Sequence, residues 1–124
     1  MKDREEFSAV FAKLKSLLHS HAASLVVVND TRDYYYLNTR WVTKDGKPIF
    51  FGAVWKGKGY VSYYLMPVYK CPGLMKRASP GLKKHQQGKS CFNFTRMDSS
   101  LFRELSKITK AGLAEFRVMY SPQK

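Results

Sequence analysis

Apolar residues recur every three or four positions over residues 3–21. Phe7, Val10, Phe11, Leu14, Leu17 and Leu18 share one helical face, and Lys13, Lys15 and Ser16 take the other. Asp3, Glu5 and Glu6 crowd the first turn, where negative charge complements the helix dipole. The pattern predicts a helix there. From Leu25 the character changes. Residues 25–28 form a β-branched run closed by Asn29-Asp30, which reads as a strand or a buried extended segment. Residues 34–41, 48–56 and 60–66 read as three further strands. Asp45-Gly46 is a turn signal between the first two of these, and Gly57-Lys58-Gly59 joins the last two as a hairpin.

Residues 67–78 hold Pro67, Pro72 and Gly73 and read mostly as loop. Ser79-Pro80 has the form of an N-cap followed by proline at the first helical position. The short helix it opens is expected to reach about Gln87, with Gly88 as its left-handed stop. Residues 89–94 are a fifth strand. Asp98 or Ser99 then caps a last helix that buries Leu101, Leu105, Ile108, Gly112 and Phe116. Lys110 and Arg117 lie toward its C-terminal end, which favours cations. Hairpin-joined strands and two terminal amphipathic helices predict an α+β fold. The expected form is a two-layer sandwich, a mainly antiparallel five-stranded sheet with both terminal helices on one face. The 124 residues suit a single domain spanning 1–124.

Charge adds a second pattern. The chain has 22 basic and nine acidic side chains, a formal net charge of +13. Between Asp45 and Asp98 there is no acid at all, but ten bases: Lys47, Lys56, Lys58, Lys70, Lys76, Arg77, Lys83, Lys84, Lys89 and Arg96. Such a field attracts anionic partners. Apolar content of 44% and aromatic content of 15% favour a folded globule. There is no apolar run of membrane-spanning length, and the charged residues 1–6 do not form a signal peptide, so a cytoplasmic location is expected. Asn29-Asp30-Thr31 and Asn93-Phe94-Thr95 match the glycosylation acceptor pattern by chance in that setting.

Candidate chemistry is sparse. Gly88-Lys89-Ser90 looks like the end of a phosphate-binding loop, but position 83 holds Lys83 where that motif needs glycine, and a strand follows instead of a helix. Lys89 and nearby backbone N–H groups still suit an anion. Cys71 and Cys91 have neither the spacing nor the histidine neighbours of a zinc site, and Cys91 reads as a buried thiol. His19 and His21 point apart on a helix. Paired carboxylates for hydrolysis are hard to assemble from nine acids. The aromatics are more suggestive. Tyr34, Tyr35, Tyr36, Trp41, Phe50, Phe51, Trp55, Tyr60, Tyr63, Tyr64 and Tyr69 lie in or beside strands, so alternation sends about half of them to each face. Half are core. The other half, among Lys56, Lys58 and Lys70, are expected on the open face, a surface that suits base stacking and anion contact.

In three segments the chain resembles the YdhG-like domain-of-unknown-function family. They are Tyr60-Val61-Ser62-Tyr63-Tyr64-Leu65-Met66-Pro67-Val68-Tyr69, Ser79-Pro80-Gly81-Leu82-Lys83-Lys84 and Gln87-Gly88-Lys89-Ser90-Cys91-Phe92-Asn93-Phe94. The resemblance covers about residues 45 to 118. It implies a small bacterial cytoplasmic protein with a curved antiparallel sheet, and it carries no catalytic residues. Some members are likened to frataxin-type iron carriers, which use an acidic ridge on the first helix and strand. The matching helix here has Asp3, Glu5 and Glu6 beside Lys2, Arg4, Lys13 and Lys15, a departure from that ridge.

The expectation is a non-enzymatic, cofactor-free binding domain whose basic, tyrosine-rich surface takes an anionic ligand, nucleic acid or a phosphorylated small molecule. Lys58, Tyr64, Tyr69, Arg77, Lys83, Lys84 and Lys89 are its candidate ligand-binding residues. The alternatives are frataxin-like iron handling and a small-molecule enzyme with a pocket near Cys91, using Cys91 or Tyr64.

Overall fold

The 3.6-residue stripe at the start of the chain forms α1 (Lys2–His19), and the stripe at the end forms α4 (Ser99–Tyr120). A computed structural model describes residues 2–120 of the chain. Between these helices lie β1 (Val26–Asp30), β2 (Tyr34–Val42), β3 (Pro48–Lys56) and β4 (Val61–Leu65). The chain then passes through α2 (Met66–Lys70), a 3-10 turn (Pro72–Met75) and α3 (Pro80–Lys84) before β5 (Gln86–Gln87) and β6 (Cys91–Phe94). The fold is α+β. All strand pairs are antiparallel, in the order β1-β2-β3-β4-β6-β5.

The sheet thus has six strands, not the expected five. The short helix ends at Lys84, and Gln86 and Gln87 turn back to pair with Phe92 and Cys91. They occupy the edge of β6 that β4 leaves unpaired, satisfying backbone groups that would otherwise lack partners. Gly88, at φ +75°, closes this hairpin instead of stopping a helix. The segment expected as loop after β4 is also more ordered than expected. Pro67 sits in the first turn of α2, where a missing N–H does no harm, so proline there starts a helix.

Other expected details hold. The Ser79 hydroxyl accepts from the Leu82 N–H and caps α3. Asp98 caps α4 by accepting from the Leu101 N–H at 3.0 Å. Asp45-Gly46 turns β2 into β3, with Gly46 at φ +81°.

Cross-strand partners share a face. Tyr35, Val54, Tyr63 and Phe92 form one row, and Leu37, Gly52 and Leu65 the next. All of them are buried. Residues of α1 and α4 meet this face. A Cβ on Gly52 would stand 3.0 Å from a Leu18 methyl, so glycine is what lets α1 approach. Tyr63 hydrogen-bonds Thr109 of α4, and Phe116 meets Phe51 edge-on with ring centres 6.1 Å apart.

Candidate ligand-binding surface

The opposite face of the sheet carries the remaining aromatics. Tyr34 pairs across strands with Trp55, and Trp55 with Ser62. In the next row Tyr36 pairs with Ala53, and Ala53 with Tyr64. Tyr34, Tyr36, Phe50, Trp55 and Tyr64 surround Ala53 to form a groove of about 490 Å³. Tyr36 stacks on Phe50 with centres 4.7 Å apart, and Tyr34 leans on Tyr36 at 5.8 Å. Trp55 is 44% exposed, and with the neighbouring rings it makes a contiguous apolar patch of the kind that marks a binding surface. Tyr36 and Tyr64 flank Ala53 from the two neighbouring strands, with their backbones roughly 10 Å apart.

Phe50 reaches this groove through a β-bulge. Leu37 opposes Gly52, but Asn38 opposes Phe50, so Phe51 is the extra residue. Simple alternation would put Phe50 on the face away from Ala53 and Trp55. The bulge restores it to their side and sends both Phe51 and Val54 into the core. Trp55 is held in place by its own turn, because a Cβ on Gly57 would come within 2.9 Å of the indole ring.

Beside the aromatic groove lies a neutral polar strip. Ser62 pairs with Asn93, and Tyr64 with Cys91. The buried Ser62 hydroxyl donates to Asn93 Oδ1 at 2.7 Å, and the Cys91 thiol reaches the same oxygen at 3.4 Å. Burial raises the pKa of the Cys91 thiol, and burial followed by the neighbouring Cys91 raises that of the Tyr64 phenol. Both stay protonated at neutral pH, so neither is an activated nucleophile.

The expected cations distribute differently from the tyrosines. Lys56, expected beside the open-face tyrosines, turns to the helical side, with Nζ 3.3 Å from an Asp33 carboxylate oxygen and 3.2 Å from Ser8 of α1. Lys58 is exposed in the β3–β4 turn, and Lys89 lies in the β5–β6 turn next to the other end of β4. Five residues of β4 at about 3.3 Å each separate those ends by roughly 13 Å. Lys89 and Lys70 both lie over the ring of Tyr69, at 5.5 and 5.7 Å from its centre. Lys83 and Lys84 are exposed at the end of α3. Arg77 lines a cleft with Glu104, Lys107 and Ile108 of α4, away from the groove. The structure therefore brings Tyr69 and Lys89 together, places Tyr64 in the groove wall, and sets Lys58 and Lys89 at opposite ends of the sheet.

Only two ion pairs occur among the described residues, Lys15–Asp30 and Lys56–Asp33. Of the ten bases between Asp45 and Asp98, nine have no carboxylate within pairing distance there. Three acids are spent on backbone N–H groups: Glu6 on Met97, Glu104 on Ser79 and Asp98 on Leu101. Among the described residues no three His, Cys, Asp or Glu side chains gather as a metal site, and no helix is long and apolar enough to cross a membrane. No protein-family model, curated protein or solved structure matches the chain.

Proposed function

We propose that this domain binds single-stranded nucleic acid on the open face of its sheet. In this reading the domain is a two-layer sandwich: α1 and α4 close one face, and the other is kept as the binding platform. The observation that carries the proposal is the aromatic groove over Ala53, whose five rings face away from the helices. Bases stack on such rings whatever their identity, because every base has a π-face. The cations at the strand ends, Lys58 at one and Lys89 at the other, have no carboxylate partner among the described residues and attract the phosphates that flank the stacked bases. An aromatic box also suits a quaternary ammonium ion. The net charge of +13 repels such a ligand, and no carboxylate lines the groove to offset that.

The test uses Trp55 as its own reporter. Trp41, the other tryptophan, packs on Tyr120 of α4, so Trp41→Phe leaves a single indole, in the groove. Titration with short oligonucleotides should quench that fluorescence. For about three phosphate contacts, affinity should fall roughly twentyfold between about 50 and about 200 mM salt. Unquenched Trp55 at both salt concentrations would sink the proposal.

A further inference from the structure

Stacking alone does not choose among bases, yet the platform ends in groups that do. Asn93 stands in the row Trp55–Ser62–Asn93, one strand beyond the aromatic groove. Its amide oxygen is already engaged, since the Ser62 hydroxyl and the Cys91 thiol both point at Oδ1. Two donors on the oxygen fix which way the amide faces. They leave the Nδ2 protons with no hydrogen-bond partner among the described residues. A ligand on this face therefore meets a donor and no acceptor at that position.

This one-sided presentation has a chemical consequence. An asparagine recognises adenine with both ends of its amide, the nitrogen donating to a ring nitrogen and the oxygen accepting from the exocyclic amino group. Here the oxygen is taken, so an adenine whose ring nitrogen accepts from Nδ2 leaves the neighbouring amino group without an acceptor. Thymine, uracil, cytosine and guanine each offer a ring carbonyl that accepts from Nδ2. We infer that Asn93 is a specificity-determining residue that makes the platform prefer bases bearing a ring carbonyl over adenine. The inference rests on the nucleic-acid reading above and adds to it the class of base selected.

The experiment compares oligothymidylate with oligoadenylate of equal length on the Trp41→Phe protein. The expected result is about tenfold tighter binding of oligothymidylate, the worth of one hydrogen bond with its unpaired alternative. Asn93→Ala should bring the two affinities within about twofold of each other, by removing the donor and leaving the stacking rings. That variant strands the buried Ser62 hydroxyl and risks the fold. Asn93→Asp guards against this, because its carboxylate keeps the acceptor for Ser62 and Cys91 while deleting the donor. It should also abolish the ratio, whatever it does to overall affinity. A ratio that survives in Asn93→Asp overturns the inference, as does a parent protein that binds both strands equally or prefers oligoadenylate. If neither oligonucleotide quenches Trp55, the nucleic-acid reading itself has failed. Failure of the ratio alone leaves that reading standing.

Discussion

Tyr63 shows how a single residue is committed by what surrounds it. It is fully buried, and its hydroxyl meets the equally buried Thr109 hydroxyl of α4. Burial drives its pKa far above the ordinary phenol range, so the pair is a neutral hydrogen bond at any physiological pH. Tyr63→Phe should destabilise the protein by about 1–3 kcal/mol, because Thr109 is left buried and unpaired. Tyr63→Phe combined with Thr109→Val should recover most of that loss, since no buried group is then orphaned. Urea unfolding of the two variants measures both, and equal losses in single and double variants would contradict the pairing. Tyr64, one position on, points to the other face and is only partly buried. Adjacent tyrosines in one strand thus do unrelated work, one as a core tie to α4 and one as groove wall. Alternation makes this division legible at 34–36 as well, where Tyr35 is buried and its neighbours line the groove.

Among the elements, helices were the most readable and short connections the least. The apolar stripe of α4 is visible in the chain, and the core positions expected from it, Leu101, Leu105, Ile108, Gly112 and Phe116, are all buried. Its start is visible too, because Asp98 is a cap residue three positions before an N–H that needs an acceptor. Asp98→Ala should therefore cost about 1 kcal/mol. A thermal melt should show this as a midpoint lower by about 4 °C. An unchanged midpoint would mean the cap is idle. The β5–β6 hairpin was not readable in the same way. Gln86 and Gln87 have no strand preference of their own, and they become a strand because β6 offers them an unpaired edge. Likewise α2 is only five residues long, too short to hold by propensity. It is held by burying Pro67 and Val68, and Pro67 seats so close to Gly112 of α4 that an added Cβ there would stand 2.6 Å away.

At the scale of the whole molecule, charge and aromatic surface are separate resources. The strands that build the groove carry almost no charge, and the bases between Asp45 and Asp98, Lys56 apart, sit in turns and short helices around the sheet. Lys58 and Lys89 stand at opposite ends of β4, too far apart to share one phosphate. Lys58→Ala and Lys89→Ala should each lower the salt slope of oligonucleotide binding by about 0.7, and the double variant by about 1.4. Slopes unchanged from the parent protein would show that these two lysines do not meet the strand. The chain by itself determined the amphipathic helices, the main strands, their antiparallel pairing and the surplus of positive charge, because each follows from local periodicity, turn chemistry or simple counting. Tertiary structure alone decided which aromatics share a groove. The bulge at Phe51 shifts the register by one residue, and that single shift carries Phe50 to the side of Trp55. It also decided that Lys56 pairs with Asp33 under the helical layer, and that Asn93 has its oxygen occupied and its nitrogen free. Those outcomes depend on which atoms from distant parts of the chain arrive together, and no local pattern encodes that.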